Sequence, residues 1–296
     1  MIPRYIFIGV LALLAFGIFL LPNQLTRQPI QAQNQSQQLL QAAKIPNAVP
    51  QPGISAHSAL VIDATTGQEL YQKNPDLKHL PASTTKLVTA MVALEKCSPE
   101  TVLKVQSLEK EGTLMGLEIE DEVTVENLLF GMLIASGNDA AYVLSANCAD
   151  SYSDFIAQMN QKAQDLNMEN SHFVNPAGFD SPYQYSTARD LAKIAKVAIT
   201  NPLIEKIVNT KSTVVTDVSG TKTYYLENVN KLLGNIEGLQ GVKTGQTEGA
   251  LEIVITKTTR NRHSIICAVV GSKDRFGETK TLIDWTFKNY QWQNLN

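Results

Sequence analysis

Apolar and polar positions repeat with two different periods along this chain, and the order of those periods implies a fold. Ser58–Asp63 (SALVID) and residues 68–72 (QELYQ) read as short strands joined by a Thr-Thr-Gly turn at 65–67. From position 86 the period changes. Leu87, Ala90, Met91 and Leu94 fall at i, i+3, i+4 and i+7, which places one apolar face on a helix. Residues 125–135, 139–148, 155–166 and 187–199 are further helical stretches. Strand character returns at 251–256 (LEIVIT) and 264–270 (SIICAVV), linked through Arg260-Asn261-Arg262. A last amphipathic helix, about 279–287, offers Trp285 and Phe287 for packing. Strands at both ends and helices between them predict an α+β fold: an antiparallel sheet built from N- and C-terminal strands, with a helical cluster inserted between them. There is no internal repeat.

The amino-terminal pattern is different. Residues 5–21 form an unbroken run of 17 uncharged, mostly apolar residues between Arg4 and Pro22, and no charge recurs until Arg27. As a helix this run spans about 25 Å at ~1.5 Å per residue, the lower limit for crossing a bilayer. A cleaved signal peptide is the main rival, although no Ala-x-Ala-like cut site follows Leu21. A buried core helix is the third reading, since neither face is polar. Either of the first two exports the remainder. Residues 23–53 carry nine Gln in 31 positions, with Pro29, Pro46, Pro50 and Pro52 and no acidic residue. Such a stretch buries too little apolar surface to offset its ordering entropy, so it reads as a tether. The expected organisation is an anchor or signal over 1–22, a linker over 23–53 and one mixed domain over 54–296. The anchor reading places that domain outside the cytoplasmic membrane on a single span.

Composition adds exclusions. Hydrophobic residues make up 44% and charged residues 18%, enough for a sizeable core. The net charge is −3; residues 1–53 hold only Arg4, Arg27 and Lys44, so 54–296 stands at −6 (−3 minus +3). That balance argues against nucleic acid as a partner. Three Cys in 296 residues exclude a disulfide-dense scaffold, and no CxxC or His/Cys cluster suggests a metal, so neither metal nor cofactor is expected. His57, His79, His172 and His263 are scattered without partner spacing. Cys267 lies in an apolar strand and reads as a buried thiol. Cys97 and Cys148 each end a helix and could pair in an oxidising compartment, but sequence does not show proximity.

Three polar groups could do chemistry. Ser83-Thr84-Thr85-Lys86 matches Ser-x-x-Lys, as do 107–110 and 219–222. Context separates them. Gly112 follows Ser107 and Gly220 adjoins Ser219, poor surroundings for a long helix, whereas Ser83 follows Pro81-Ala82 and opens the strongest helical pattern in the chain. Ser83 and Lys86, three apart, then share a face. A serine hydroxyl needs a nearby base to become a nucleophile, and an amine one turn away serves if burial or a second cation keeps it neutral. Lys243-Thr244-Gly245, just before the 251–256 strand, supplies such a cation, and its Gly lets a ligand approach the backbone. Ser136-Gly137-Asn138 closes an apolar run; its plain reading is a helix cap. Together, in this order, the three match a serine acyl-transfer signature.

Here the chain resembles the low-molecular-weight penicillin-binding proteins, the D-alanyl-D-alanine carboxypeptidases of the bacterial cell wall. The resemblance covers about 58–287 and runs through ALVIDATTGQELYQKN, PASTTKLVTA, LLFGMLIASGNDAA, FVNPAGFD, YSTARDLA, NVNKLL, GVKTG and GETKTLIDWTF. It implies a β-lactamase/transpeptidase-like fold and a serine acyl-enzyme that hydrolyses the terminal D-Ala-D-Ala bond of peptidoglycan stem peptides, with β-lactams as acylating inhibitors. Ser83 would be the nucleophile, Lys86 its base and Ser136 the relay to the leaving amine. Asn138 would hold the substrate amide. Lys243, Thr244 and Gly245 would bind the substrate with help from Arg275, and the backbone N–H groups of Ser83 and Gln246 would form an oxyanion hole. Asn175 and Arg189 match family positions as structural supports. Two departures bear on substrate preference: Ala250-Leu251 where the family usually has Ala-Gly, and Val229 in the Asn-Val-Asn segment. The β-rich second domain and C-terminal anchor of many relatives are not expected, and the N-terminal helix would replace that anchor. A class A β-lactamase is disfavoured because positions 163 and 292, three before each Leu-Asn, hold Ala and Trp rather than Glu. D,D-endopeptidase action on cross-links and a non-catalytic penicillin-binding or wall-sensing role stand as alternatives.

Overall fold

A computed structural model describes residues 41–46 and 48–293. The chain opens with β1 (Gln41–Lys44), β2 (Ser58–Asp63) and β3 (Glu69–Lys73), then enters α1 (Lys86–Lys96) through a 3₁₀ turn at Ala82–Thr85. The helical insertion holds a short hairpin, β4 (Val102–Lys104) with β5 (Glu122–Thr124), then α2 (Val125–Leu133), α3 (Asn138–Asn147), α4 (Tyr152–Asp165), α5 (Ala188–Ala198) and α6 (Pro202–Val208). A second hairpin, β6 (Ser212–Thr216) with β7 (Thr223–Glu227), leads to β8 (Leu239–Thr247), β9 (Leu251–Arg260), β10 (His263–Ser272), α7 (Arg275–Asn289) and β11 (Tyr290–Gln293). The main sheet is fully antiparallel in the order β3-β2-β10-β9-β8, so the early strands β2 and β3 share it with the late strands β8 to β10 as expected, while β1 and β11 pair apart from it.

Alternation along β10 explains why the sheet is buried on both faces. Ile266, Ala268 and Val270 join the core shared with the helical cluster, while Ile265, Cys267 and Val269 join a second core under α7. Leu282, Ile283 and Trp285 close that second core. The three layers are thus helices, sheet and one long helix. β8 is the sheet's outer strand on the side facing the helical insertion, and it carries Lys243-Thr244-Gly245 within it rather than in the lead-in to the next strand.

The boundary at residue 54 moves. The tether reading of residues 41–53 is corrected: β1 pairs with β11, Ile45 N–H donates to the Asn289 carbonyl at 3.0 Å, and Trp285 Nε1 donates to the carbonyls of Val49 and Pro50 at 3.0 and 2.9 Å. Hydrogen bonding, together with burial of Ala42 in the second core, attaches this stretch. The 5–21 run lies outside the described residues; among those described, no helix is long and apolar enough to cross a membrane.

Cys97 and Cys148 are joined in a disulfide, Cα to Cα 5.6 Å. The bond ties the C-terminal ends of α1 and α3, whose opposite ends carry Lys86 and Asn138. It therefore braces, from behind, the two helices that build the polar centre.

Candidate active site

Ser83 stands in the 3₁₀ turn just ahead of α1 rather than within it, so the expectation that it opens the helix is corrected. Ala82 enters the turn in the left-handed region (φ 46°), which costs a non-glycine residue about 1 kcal/mol. Two glycines let other chain segments close on the turn. A Cβ on Gly178 (φ 93°) would lie 1.9 Å from the Ala82 carbonyl oxygen, and one on Gly245 would lie 3.0 Å from the Ser83 nitrogen. Only Gly fits the first position, and the second holds β8 within reach of Ser83.

Lys86, the first residue of α1, is fully buried. Its Nζ lies 2.9 Å from Ser83 Oγ, 2.7 Å from Asn138 Oδ1 and 2.6 Å from the Ala177 carbonyl oxygen. The Asn138 amide is oriented by its Nδ2, which donates to the Glu111 carbonyl at 2.8 Å and so turns Oδ1 toward the lysine. Two of the three partners can only accept. A neutral amine has two hydrogens and one lone pair, so the hydrogens go to Asn138 and Ala177 and the lone pair faces Ser83. Burial first, and the Lys243 charge second, hold Lys86 well below the ordinary lysine range, with Asp139 opposing them.

Ser136 is buried in the left-handed region (φ 63°). It is not the helix cap that its plain reading suggests: Gly137 takes the cap position of α3 with no side-chain bond, and Ser136 Oγ instead accepts from Lys243 Nζ at 2.9 Å. Strain held at a buried hydroxyl in this way is a mark of a working site. Lys243 also donates to the Thr244 carbonyl at 3.0 Å. Burial, helped by the Arg275 charge, pushes the Lys243 amine down to about 7.

Strand geometry sets these contacts in a row. Lys243, Gly245 and Thr247 point to one side of β8, about 7 Å apart. They meet Ser136, the Ser83 turn and Asp180 in turn, the last through a Thr247 Oγ1–Asp180 Oδ1 hydrogen bond of 2.6 Å. Thr244 is buried between the first two. Arg275, at the start of α7, donates from Nη1 to the Gly245 carbonyl at 2.9 Å and to Gln246 Oε1 at 3.3 Å. It makes no ion pair with Asp274 or Glu278: Asp274 caps α7 by accepting from Gly277 N–H at 2.9 Å, and Glu278 accepts from Ser272 Oγ and the Ala56 amide. The Arg275 Nε is buried without a partner among the described residues.

Of the supports around this centre, Asp139 was invisible in sequence, whereas Asn175 was expected from the resemblance. Asp139 is buried and accepts from the amides of Met115, Gly116 and Leu117 at 2.8, 2.9 and 3.1 Å, pinning the 109–121 loop beside Asn138. Asn175 Oδ1 accepts from the amides of Gly178 and Phe179 at 2.7 and 3.0 Å, which fixes the segment presenting the Ala177 carbonyl to Lys86. Arg189 does not join the site; it pairs with Asp76 at 2.6 Å and with Glu69. The rival Ser-x-x-Lys matches make no serine–lysine contact: Lys222 pairs with Asp121 at 2.7 Å while Ser219 bonds Thr221 in an exposed turn. Two histidines do meet, contrary to their spacing: His57 Nδ1 and His79 Nε2 are 3.4 Å apart.

A profile of the D-alanyl-D-alanine carboxypeptidase family matches residues 45–274. The chain is 32% identical over 250 residues to the D-alanyl-D-alanine carboxypeptidase DacF of Bacillus subtilis, covering 81% of this chain and 64% of that protein. It is 33% identical over 243 residues to a D-alanyl-D-alanine endopeptidase of Escherichia coli, covering 79% and 78%. Among solved structures, the DD-transpeptidase of Streptomyces K15 superimposes with a TM-score of 0.75 at 30% identity, over 81% of this chain and all of that one. A strained Ser–Lys–Ser–Lys centre, with Lys86, Ser136 and Lys243 buried, on a matching sheet and helical insertion thus coincides with a family match over most of the chain: it belongs to the D-alanyl-D-alanine carboxypeptidase family of low-molecular-weight penicillin-binding proteins.

Proposed function

We propose that this chain hydrolyses the terminal D-Ala-D-Ala bond of peptidoglycan stem peptides through an acyl-enzyme on Ser83. The observation that carries this reading is the environment of Lys86, which leaves its lone pair only one partner, the Ser83 hydroxyl. Lys86 takes the Ser83 proton as Oγ attacks the scissile carbonyl, and the Ser83 and Gln246 amides receive the developing oxyanion. Ser136, held by Lys243, passes a proton to the leaving D-Ala amine. Arg275 and Thr244 hold that residue's carboxylate. Water then releases the shortened peptide. β-Lactams acylate the same oxygen. The disulfide suits an oxidising, extracytoplasmic compartment, which supports export of the domain by residues 5–21, as a single membrane anchor or as a cleaved signal. A silent wall-sensing role would need a missing reacting group, and none is missing. The endopeptidase reading keeps the same centre and differs in the group carried beyond the scissile bond.

The experiment is incubation with a pentapeptide ending in D-Ala-D-Ala and, separately, with a cross-linked dimer. Release of one D-Ala from the pentapeptide with the dimer left intact is expected; cleavage of the dimer alone would select the endopeptidase reading.

The coupled lysines also set a pH dependence. Acylation requires neutral Lys86, so its rate is expected to rise with pH along a limb well below the range of a free lysine. Because Lys243 titrates nearby, at about 7, the limb belongs to the pair. Lys243→Ala removes a charge that disfavours protonated Lys86, so the Lys86 pKa goes up and the limb moves to higher pH. A rate–pH profile of penicillin acylation checks this; an unmoved limb contradicts it.

A further inference from the structure

Beyond Thr247 the row of contacts along β8 runs into a pocket of about 540 Å³ that the reaction so far does not use. Leu80 and Asp180 form its near rim, and both press on the turn after β8: a Cβ on Gly249 would lie 2.7 Å from Leu80 Cδ1 and 2.9 Å from Asp180 Oδ2. Asp180 is committed to that turn, since its two oxygens accept from Thr247 Oγ1 at 2.6 Å and Gly249 N–H at 3.0 Å. Tyr185 and Lys78 also line it, with the Lys78 ammonium 4.3 Å from the centre of the Tyr185 ring. That cation–π contact orders an otherwise mobile side chain. Lys78 is exposed and has no carboxylate within ion-pair distance among the described residues. The pocket therefore presents an ordered ammonium with no ion-pair partner, with the Asp180 carboxylate held on the turn at its near rim.

Direction along β8 says which part of a substrate reaches it. In the function proposed above, on which this inference rests, Ser136 serves the leaving amine and sits at the Lys243 end. The acyl part must then leave Ser83 the other way, toward Thr247 and Asp180. Gly245 to Thr247 is about 7 Å, the advance of two residues of extended chain. We propose that this pocket is the acyl-side subsite, that it takes the side chain of the residue immediately upstream of the acylated D-Ala, and that Lys78 selects a side chain ending in a carboxylate. The subsite thus distinguishes acyl-side peptides by charge, independently of Arg275, which acts on the leaving side.

The test uses two peptides ending in D-Ala-D-Ala that differ only in the upstream side chain, a free carboxylate in one and its carboxamide in the other. For the wild-type protein kcat/KM is expected to favour the free carboxylate by roughly five- to tenfold, less at high salt. Lys78→Gln brings the ratio toward one, and Lys78→Glu inverts it. Tyr185→Leu, which frees Lys78 from the ring, lowers the ratio without inverting it. A wild-type ratio of one, or a ratio that Lys78→Glu leaves unchanged, overturns the inference. Penicillin acylation of the wild-type protein reports separately on Ser83: acylation with a ratio of one rejects this subsite alone, whereas no acylation rejects the reading on which it rests.

Discussion

Replacing Lys86 with Met is expected to slow acylation of Ser83 by roughly 10²- to 10⁴-fold, the usual worth of a positioned general base. Met keeps most of the apolar stem that packs at the start of α1, and it removes the amine alone. Two acceptors, Asn138 Oδ1 and the Ala177 carbonyl, lose a donor, at about 1–3 kcal/mol each. Loss of a buried, desolvated amine offsets part of this, so a folded variant is expected by thermal denaturation. Arginine separates a base from a mere cation. Its guanidinium stays protonated and has no lone pair to offer. If Lys86 acts only by charge, Lys86→Arg should retain much of the rate; if it acts as the base, Lys86→Arg fails with Lys86→Met. Stopped-flow acylation kinetics with a chromogenic β-lactam read both.

The second large effect is at Arg275. Among the described residues its guanidinium bonds only uncharged groups, the Gly245 carbonyl and the Gln246 side chain, and its buried Nε is unpaired, while the nearby Glu252 carboxylate accepts from the Arg275 backbone N–H at 3.0 Å. Burial also presses on the guanidinium, holding it below the ordinary arginine range. A cation kept at that cost beside β8 suits an incoming carboxylate, which a planar fork grips well. A hydrogen bond to a charged group is worth about 1.5–3 kcal/mol, and about 1.4 kcal/mol is one decade. Arg275→Ala is therefore expected to lower kcat/KM by roughly 10- to 150-fold on a peptide with a free C-terminal carboxylate, and much less on its C-terminal amide. Equal losses on both would show that Arg275 does not read the carboxylate, and would remove the main charge-based reason to prefer carboxypeptidase over endopeptidase action.

What was legible in sequence was local. The short apolar run in 264–270 and the i, i+3, i+4, i+7 face from Leu87 report on nearest neighbours, and both elements form where they were expected. The Ser83–Lys86 pair was legible for the same reason, since one turn of chain brings the two together. β8 was hidden because GVKTGQT breaks alternation with a buried lysine and two glycines, each of which admits a close neighbour, Val208 at Gly241 and the Ser83 turn at Gly245. Asp139, Ala177 and Gly178 gave no signal: a carboxylate collecting three amides and a carbonyl facing a lysine 91 positions away are products of tertiary contact. The same holds for β1 and β11, whose pairing spans the whole domain. Leu251 is a special case. Its departure from the usual glycine stood out in the sequence, and the structure places it in the left-handed region (φ 54°), where glycine is the unstrained choice.

The most direct measurement is the mass and position of the covalent adduct after exposure to benzylpenicillin. Intact-protein mass spectrometry of the wild-type protein should show one equivalent added, and peptide mapping should place it on the segment containing Ser83, with no adduct in Ser83→Ala. An adduct on Ser107, Ser136 or Ser219, or a wild-type protein that takes up none, would contradict the account.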